Sequence, residues 1–276
     1  MSTPRQGLLY VVATPIGHRD DITARAIETL KRVDVVAAED TRHSRPLLQH
    51  YQVDTPLVAL HDHNERTAVD GLVARMLAGE SVALVSDAGT PLISDPGFRL
   101  VRAARAAGVR VVPIPGACAA IAALSVAGLP SDRFVFEGFL PAKGGARRSR
   151  LQELLGETRT VIYYESSHRV LECLEDMRDI FGADREVVLA RELTKMFETV
   201  LGEPVGALVE RVAGDPHQQK GEFVLMVAGR EADEDARVGE GLRVFAILRE
   251  EMPPAKAAKL AAAITGAPRK ALYGAS

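Results

Sequence analysis

The chain has 276 residues, of which 47% are hydrophobic and 26% are charged, and its formal net charge at pH 7 is −3. This length predicts about two domains, and the charge excludes a globally basic surface, so any polyanion must bind to a local patch. Cys118 and Cys173 lack the spacing of a disulfide framework or a metal site, so we expect no metal and a reducing, cytoplasmic location. The first apolar run, residues 8–13, is too short for a signal sequence or a membrane span, so we expect no membrane association.

Strand and helix patterns alternate through residues 1–116, which predicts an N-terminal α/β domain with a parallel sheet covered on both faces. Asp20 or Asp21 is placed to cap the first helix. The predicted strands contain the apolar runs LLYVVA, VDVVAAED, PLVAL, SVALV and VRVVPI.

A long loop, SDAGTPLISDPGF at residues 86–98, separates one of these strands from the next helix. Its glycines, prolines and aspartates cannot continue a strand or a helix. Connections of this kind usually run about 2–6 residues. Ligands bind at the carboxyl edge of open α/β sheets, so this loop predicts a ligand site, with an ordinary strand-to-helix connection as the alternative.

The second half of the chain predicts three further parts. Residues 117–230 alternate again between helix and strand and predict a second α/β domain, whose strand directions and order the pattern leaves open. Residues 231–241 are acidic and nearly free of apolar side chains, which predicts a linker. Residues 242–276 predict a basic helical module with a break at Thr265–Gly266.

The common nucleotide-binding and hydrolase fingerprints, GxGxxG, GxxxxGK[ST], GxSxG and HExxH, are absent from the sequence. Eight other segments follow one another: ATPIGHRDDIT, AEDTRHS, SDAGTPLISDPG, PIPG, EGFLP, YYESSHR, RELTK and KGEFVL. Together they resemble the tetrapyrrole methylase superfamily, and most of all its branch that methylates the ribose 2′-hydroxyl of a decoding-site cytidine in 16S ribosomal RNA. The resemblance covers residues 8–229, and the basic C-terminal helices resemble that branch's helix-turn-helix-like extension.

The resemblance implies two α/β domains with S-adenosyl-L-methionine in the cleft between them, a homodimer, and 16S rRNA within the 30S ribosomal subunit as partner. In this site Asp87 is a candidate partner for a ribose hydroxyl or the α-ammonium group, and Gly89 permits close backbone approach. The predicted cofactor-binding residues are Thr14, Pro15, Asp87, Gly89, Thr90, Cys118, Ala119, Tyr164, Glu165, Leu193, Glu222 and Phe223.

Methyl transfer from a sulfonium is an in-line displacement, so alignment supplies much of the catalysis, and a base near the 2′-hydroxyl adds to it. The candidate catalytic residues are polar side chains at strand ends: Glu39, Asp40, Arg42, Glu165 and Lys195. For each of them a salt bridge or a helix cap is the alternative role. Asp40 in particular is placed to cap the helix that follows it.

Positive charge without acidic residues is concentrated in two segments, which predict contacts with RNA phosphates. The predicted RNA-binding residues are Lys143, Arg147, Arg148 and Arg150 in the first segment, and Lys256, Lys259, Arg269 and Lys270 in the second. A solvated helix face is the alternative for the first segment, and dimer packing is the alternative for the second.

Two other functions are compatible with the sequence. The first is a tetrapyrrole (precorrin) C-methyltransferase, the other chemistry of the superfamily, against which the two basic segments and the AEDTR and YYESSHR motifs argue. The second is a non-catalytic RNA-binding module that works through the C-terminal helices. A non-catalytic protein has no need of SDAGTP at a strand end.

Overall fold

The computed structural model describes residues 7–61, 64–230 and 234–273. The strands of the first sheet are β1 (Leu8–Val12), β2 (Val35–Ala38), β3 (Leu57–Ala59), β4 (Val82–Val85) and β5 (Arg110–Ile114). All neighbours pair in parallel, in the order β3-β2-β4-β1-β5. The connecting helices are α1 (Ala24–Arg32), α2 (Thr41–His50), α3 (Glu65–Leu77) and α4 (Phe98–Ala106). The predicted parallel α/β architecture is confirmed.

Both faces of this first sheet are buried. In β2, Val35 and Ala37 pack into one hydrophobic cluster, whereas Val36 and Ala38 pack into another. Side chains of a strand alternate between the faces of its sheet, so a strand covered on both sides is apolar at every position. The carboxyl ends of all five strands meet at one edge, where the 86–98 loop leaves the sheet.

The cap of α1 differs from the prediction. Asp20 and Asp21 belong to a 3₁₀ turn over Arg19–Asp21. Thr23 directly precedes the helix in an extended conformation, and its hydroxyl accepts a hydrogen bond from the Ala26 amide at 3.1 Å. The assignment of Asp20 or Asp21 as the cap is therefore wrong, because the chain makes one more turn before the helix begins.

The second sheet is mixed. Its strands are β6 (Phe134–Phe139), β7 (Thr160–Ser166), β8 (Glu186–Arg191), β9 (Thr199–Pro204) and β10 (Glu222–Val227), in the order β6-β7-β10-β8-β9. Only the pair β6–β7 is parallel. Its helices are α5 (Ala119–Val126), α6 (Gly144–Glu153), α7 (Val170–Phe181) and α8 (Val205–Gly214). Ala120 and Ala123 of α5 pack with Ile162 and Val224 of this sheet. The domain boundary after residue 116 stays a prediction.

The described residues up to Ala228, apart from 156–158, form one compact unit that contains both sheets, and the C-terminal helices belong to a second unit. That second unit contains α9 (Glu234–Glu251), α10 (Pro254–Thr265) and α11 (Arg269–Tyr273), which share a small core around Phe245 and Ala261. The predicted linker is wrong for residues 234–241, which form the first turns of α9. Residues 231–233 of that linker lie outside the described part of the chain.

No helix in the described ranges is long and apolar enough to cross a membrane. Cys118 is half-buried, Cys173 is buried, and both thiols are free. The same ranges contain no cluster of His, Cys, Asp and Glu that could hold a metal ion.

Candidate active site

A cavity of about 400 Å³ lies where the carboxyl edge of the first sheet faces the loops of the second. The loops of the first sheet contribute Ile16 and residues 88–90 and 93–95. The second contributes residues 118–119, 164–167 and 221–224, together with Phe139, Ala190, Leu193 and Lys195. The volume is within the usual range for small-molecule sites.

The 86–98 loop is anchored to the ends of its neighbours. Thr14, just after β1, exchanges two backbone hydrogen bonds with Gly89, with N–O distances of 2.8 and 3.1 Å. The Thr90 hydroxyl donates to the Ala117 carbonyl at 2.9 Å. Gly89 has φ +81°, a left-handed conformation that glycine adopts at no steric cost. These contacts bring the loop backbone to the wall of the cavity.

Strained backbone is concentrated around this cavity. Leu92 and Ser94 have φ +74° and +69°, and Glu192 and Thr194, in the loop after β8, have φ +50° and +64°. Among the described non-glycine residues, Gln52 is the one other with positive φ. Such conformations persist where the surrounding structure enforces them, and they are typical of ligand-binding loops.

Most of the predicted cofactor-binding residues line the cavity: Gly89, Thr90, Cys118, Ala119, Tyr164, Glu165, Leu193, Glu222 and Phe223. The structure does not place Thr14, Pro15 or Asp87 in its lining. Thr14 is buried, and its hydroxyl donates to the carbonyls of Ser86 and Gly89. Thr14 therefore anchors the 86–98 loop without lining the cavity itself.

Asp87 belongs to a polar cluster beside the cavity. Its Oδ1 accepts a hydrogen bond from the Asp40 amide at 3.1 Å. Asp40 in turn caps α2 and forms an ion pair with Arg42, with Oδ2 and Nη2 2.7 Å apart. Hydrogen bonds from Arg42 hold the pKa of Asp40 well below its usual range, so this carboxylate is a weak base.

Of the candidate catalytic residues, Glu165 and Lys195 line the cavity, whereas Glu39, Asp40 and Arg42 lie at the end of β2 and do not. The cap and ion pair of Asp40 and Arg42 match the alternative roles that the sequence left open for them. Their catalytic role loses support because neither side chain reaches the cavity wall.

Replacing Asp87 by alanine should lower the free energy of unfolding by about 1.5 kcal/mol, the smaller end of the range for hydrogen bonds to charged groups. The Asp40 amide then loses its carboxylate acceptor. Asp87→Asn keeps an acceptor oxygen, so its free energy of unfolding should decrease less. Urea denaturation of both variants measures the difference, and equal losses would show that the hydrogen bond to Asp40 contributes little.

Tyr164 closes one wall of the cavity. Its hydroxyl accepts a hydrogen bond from the Ala120 amide at 3.1 Å, in the first turn of α5. Its ring packs edge-to-face against Phe136 and Phe139. Burial, with a contribution from Cys118, raises the pKa of the phenol, so Tyr164 stays neutral and fixes the start of α5.

Glu165 is a buried carboxylate with a fully covered side chain. It accepts hydrogen bonds from the Ser166 amide at 2.8 Å and from Arg169 Nη2 at 3.2 Å. Arg169 also donates to the Leu140 carbonyl at 2.7 Å. Glu165 therefore anchors the loop after β6 to the cavity wall through Arg169.

Lys195 is held between two carboxylates, with Nζ 2.9 Å from Glu192 Oε1 and 2.6 Å from Glu222 Oε2. Burial alone lowers the pKa of Lys195, but the hydrogen bonds to Glu222 and Glu192 raise it above its ordinary value. Lys195 therefore stays a cation and cannot accept a proton. Its charge is neutralised by these two carboxylates.

Asp95 was missed by the sequence analysis, as were the cavity-lining residues Ile93 and Ser94. Asp95 is half-buried, and burial raises its pKa to about 6, with a further upward contribution from Asp87 and an opposing one from the hydrogen bond to Ser86. The loop contains two aspartates, Asp87 and Asp95. The sequence pattern does not show which of them faces the ligand.

The predicted RNA-binding role is wrong for Arg147. Its side chain is 4% exposed and its Nε lies 2.6 Å from Asp176 Oδ2, so it joins α6 to α7 and presents no charge to solvent. Arg148 pairs with Asp176 and Asp179, and Arg150 pairs with Glu137 and Glu153. The acids that neutralise this segment come mainly from α7, more than twenty residues later in the chain.

The other predicted RNA-binding residues are exposed: Lys143 at the start of α6, and Lys256, Lys259, Arg269 and Lys270 in the second unit. Ala257, Ala258 and Ala261 of α10 face that unit's core instead. Lys256 and Lys259 thus lie on the solvent side of an amphipathic helix.

Comparison with known proteins agrees with this architecture. The sequence profile of the family Tetrapyrrole (Corrin/Porphyrin) Methylases matches residues 8–209, and that of the RsmI C-terminal HTH domain matches residues 235–275. Uroporphyrin-III-C-methyltransferase from Thermus thermophilus superimposes with a TM-score of 0.54 at 21% identity, covering 81% of this chain and 94% of that one. Diphthine synthase superimposes with a TM-score of 0.60 at 17% identity, covering 80% of this chain and 90% of that one. The sequence profile, together with the shared fold, thus assigns the chain to the tetrapyrrole methylase class.

Curated relatives identify the family within this class. Ribosomal RNA small subunit methyltransferase I of Xylella fastidiosa strain Temecula1 is 60% identical over 274 residues, 99% of this chain and 100% of the relative. The enzymes of the same name from Pseudomonas aeruginosa and Escherichia coli O157:H7 are 59% and 56% identical, and each covers 97% of this chain. The matched regions span 95% and 94% of the lengths of these two enzymes. The chain belongs to the ribosomal RNA small subunit methyltransferase I family.

Proposed function

We propose that this enzyme transfers a methyl group from S-adenosyl-L-methionine to the ribose 2′-hydroxyl of a decoding-site cytidine in 16S rRNA of the 30S subunit. The observation that carries the proposal is the 60% identity, over nearly the whole chain, to a ribosomal RNA small subunit methyltransferase I. We expect the enzyme in the cytoplasm, together with its proposed ribosomal substrate.

The cavity fits a cofactor of this kind. S-adenosyl-L-methionine has a flat base, a ribose and two positive centres, the sulfonium and the α-ammonium group. The cavity supplies an apolar wall with Ile16, Leu193 and Phe223, and carboxylates at Asp95 and Glu222. Small residues at Gly89, Cys118 and Ala119 allow the backbone to approach a ligand closely. When bound, the cofactor supplies an electrophilic methyl group.

The protein contributes placement and electrostatics to this reaction. The loop around Gly89 is fixed by Thr14 and Thr90, so a bound ligand does not have to order it. Lys195 remains a cation at the cavity, and its pairing with Glu192 and Glu222 holds the loop after β8 beside β10. Exposed lysines on the C-terminal unit supply contacts with RNA phosphates.

A homodimer is part of the proposal. The unit that contains both sheets exposes several large apolar side chains, among them Phe98 (63%), Ile121 (51%) and Val126 (56%). These side chains are candidates for the contact between subunits. Light scattering of the purified enzyme tests the association state.

The proposed function is tested by methyl transfer from radiolabelled S-adenosyl-L-methionine to 30S subunits, with the modified nucleotide then mapped. We expect one labelled ribose, on a cytidine of 16S rRNA. Label on a base, or absence of label in the RNA, contradicts the proposal. An absorbance titration with a porphyrinoid tests the tetrapyrrole alternative, and we expect no binding.

Replacing Gly89 by valine should reduce the affinity for S-adenosyl-L-methionine by about tenfold or more, because strain of about 1–3 kcal/mol would move this loop out of its position at the cavity wall. A β-branched residue at φ +81° is strained, and its Cβ would lie 3.3 Å from Ile16 Cγ2. Gly108→Val is the matched control, because Gly108 has a similar φ of +78° but does not line the cavity. Calorimetry should show weak cofactor binding only for the Gly89 variant, and equal affinities would place the cofactor away from this loop.

A further inference from the structure

A second pocket, of about 580 Å³, lies next to the cavity. The loop after β8, residues 192–198, separates the two. Its Leu193 lines the cavity, whereas its Met196 and Phe197 line the second pocket. Gly221, just before β10, lines both. When the ribose of one nucleotide enters the cavity, a neighbouring nucleotide of the same strand is therefore within reach of the second pocket.

The loop presents two apolar side chains to solvent, because Met196 is 90% exposed and Phe197 is 65% exposed. The loop is nevertheless fixed in place. The Thr194 hydroxyl accepts a hydrogen bond from the His18 amide at 3.0 Å, and the Thr194 amide donates to Glu198 Oε2 at 2.6 Å. Exposed aromatic rings are the groups on which proteins stack the bases of single-stranded nucleic acids. Phe197 is such a ring, held ready beside the cavity.

A buried cation also lines the second pocket. Arg191, the last residue of β8, is 8% exposed. Its Nε donates to the Lys220 carbonyl at 2.6 Å, and its Nη1 donates to the Phe197 carbonyl at 3.2 Å. Within the described part of the chain neither Arg191 nor the exposed Lys220 forms an ion pair with a carboxylate. A buried charge without a partner of opposite sign is costly, so this pocket favours an anionic group.

The two acidic residues of the second pocket are engaged by other groups. Glu192 Oε1 accepts hydrogen bonds from Lys195 Nζ and from the Glu222 amide, both at 2.9 Å. Glu198 accepts a hydrogen bond from the backbone of its own loop. Their hydrogen bonds thus hold the loop together and leave the charge of Arg191 for a ligand.

We propose that the second pocket holds the nucleotide next to the reacting cytidine, an inference that rests on the proposed function. The base stacks on Phe197, and its phosphate lies near Arg191 and Lys220. An aromatic platform beside positive charge is the usual combination for binding a single strand. Only an unpaired nucleotide can present its base in this way. Because stacking accepts every base, the pocket positions the strand and does not read its sequence.

Phe197→Ala should weaken the binding of 30S subunits by about tenfold, within the range for base–aromatic stacking. The KM for 30S subunits should rise by a similar factor. Phe197→Leu keeps an apolar side chain without a π-face and should lose as much, whereas Phe197→Trp should restore binding. Filter binding and methylation kinetics measure the series. Affinity for S-adenosylhomocysteine, measured by calorimetry, should stay unchanged in all three variants, because Phe197 does not line the cavity.

Lys220→Ala tests the phosphate contact. Loss of one phosphate contact should reduce the slope of log K against log salt for 30S binding by about 0.7, the value for a single strand. Only the backbone carbonyl of Lys220 is bonded to Arg191, so the variant keeps that hydrogen bond. An unchanged slope contradicts a phosphate at this position.

Leu77→Ala is the matched control. Leu77 is a 51% exposed apolar residue at the end of α3, and it lines neither pocket. The helix runs back from the cavity edge of the first sheet to the start of β4, so Leu77 lies at the opposite end of that sheet. This variant should bind 30S subunits and S-adenosylhomocysteine like the wild type.

Ultraviolet crosslinking gives a direct readout of the contact. With p-benzoylphenylalanine at position 197, the crosslink should map to 16S rRNA beside the methylated cytidine, and with the same group at position 77 it should not. Wild-type 30S affinity in Phe197→Ala, or equal losses in Phe197→Trp and Phe197→Leu, overturns the inference. So does a change of association state in Phe197→Ala by light scattering, which would assign the pocket to subunit contact. Failure of the wild-type enzyme to label 30S rRNA overturns the proposed function instead.

Discussion

Replacing Arg147 by alanine should lower the free energy of unfolding by about 3–5 kcal/mol, the usual consequence of breaking a buried ion pair. The Arg147 side chain is 4% exposed, and Asp176, its partner at 2.6 Å, is 11% exposed. Without Arg147, Asp176 keeps only the half-exposed Arg148. A loss of this size is a large share of the stability of a typical domain, about 5–15 kcal/mol.

Arg148→Ala is the matched control, since Arg148 contacts the same carboxylate from a solvent-exposed position. Exposed pairs contribute about 1 kcal/mol or less. Chemical denaturation of the two variants should therefore show a large loss for Arg147 and a small one for Arg148. Comparable small losses would mean that Arg147 is accessible to solvent after all, and the RNA-binding role predicted for it would have to be reconsidered.

The architecture of the first sheet followed from local patterns. Apolar runs such as residues 35–38 are buried on both faces, and this is the pattern that helix-covered parallel strands require. No comparable pattern in the sequence predicts the strand order of the second sheet. Its antiparallel pairs, such as Phe223 with Arg191, join residues that are far apart in sequence, and short strands do not encode their partners.

The site was predictable where it is made of backbone and small residues. Gly89 and Ala119 follow predicted strands, and both line the cavity. Charged side chains were harder to assign, because their partners lie in distant elements. Arg147 is neutralised by Glu172 and Asp176, which follow it by 25 and 29 residues. Basic residues with no acidic neighbours in the sequence can therefore still be paired with acidic side chains in the folded protein.

The acidic composition and the scarcity of apolar side chains in residues 231–241 misled their interpretation as a linker. Gly241 lies inside α9, where an added Cβ would come within 2.6 Å of Ala267 Cβ and 2.9 Å of Leu272 Cδ2. Glycine is required there because the C-terminal helices approach one another closely, not because the chain is flexible. A truncation at residue 241 would therefore cut a helix, and the boundary for removing this unit belongs at Ala228.

Removing residues 229–276 should abolish most methylation of 30S subunits while cofactor binding remains. The cavity is lined entirely by the unit that ends at Ala228. The removed segment carries the exposed residues Lys256, Lys259, Arg269 and Lys270. Calorimetry with S-adenosylhomocysteine should give the affinity of the full chain, and filter binding should show weaker retention of 30S subunits.

A charge variant distinguishes phosphate binding from a packing role of the same unit. Changing Lys256, Lys259, Arg269 and Lys270 together to alanine keeps the apolar core around Phe245 and Ala261. If each of the four contacts a phosphate, the slope of log K against log salt for 30S binding should decrease by about 3. Light scattering should show the association state of the full chain. An unchanged slope, or dissociation of a dimer in this variant, would assign the unit to subunit packing and remove it from RNA recognition.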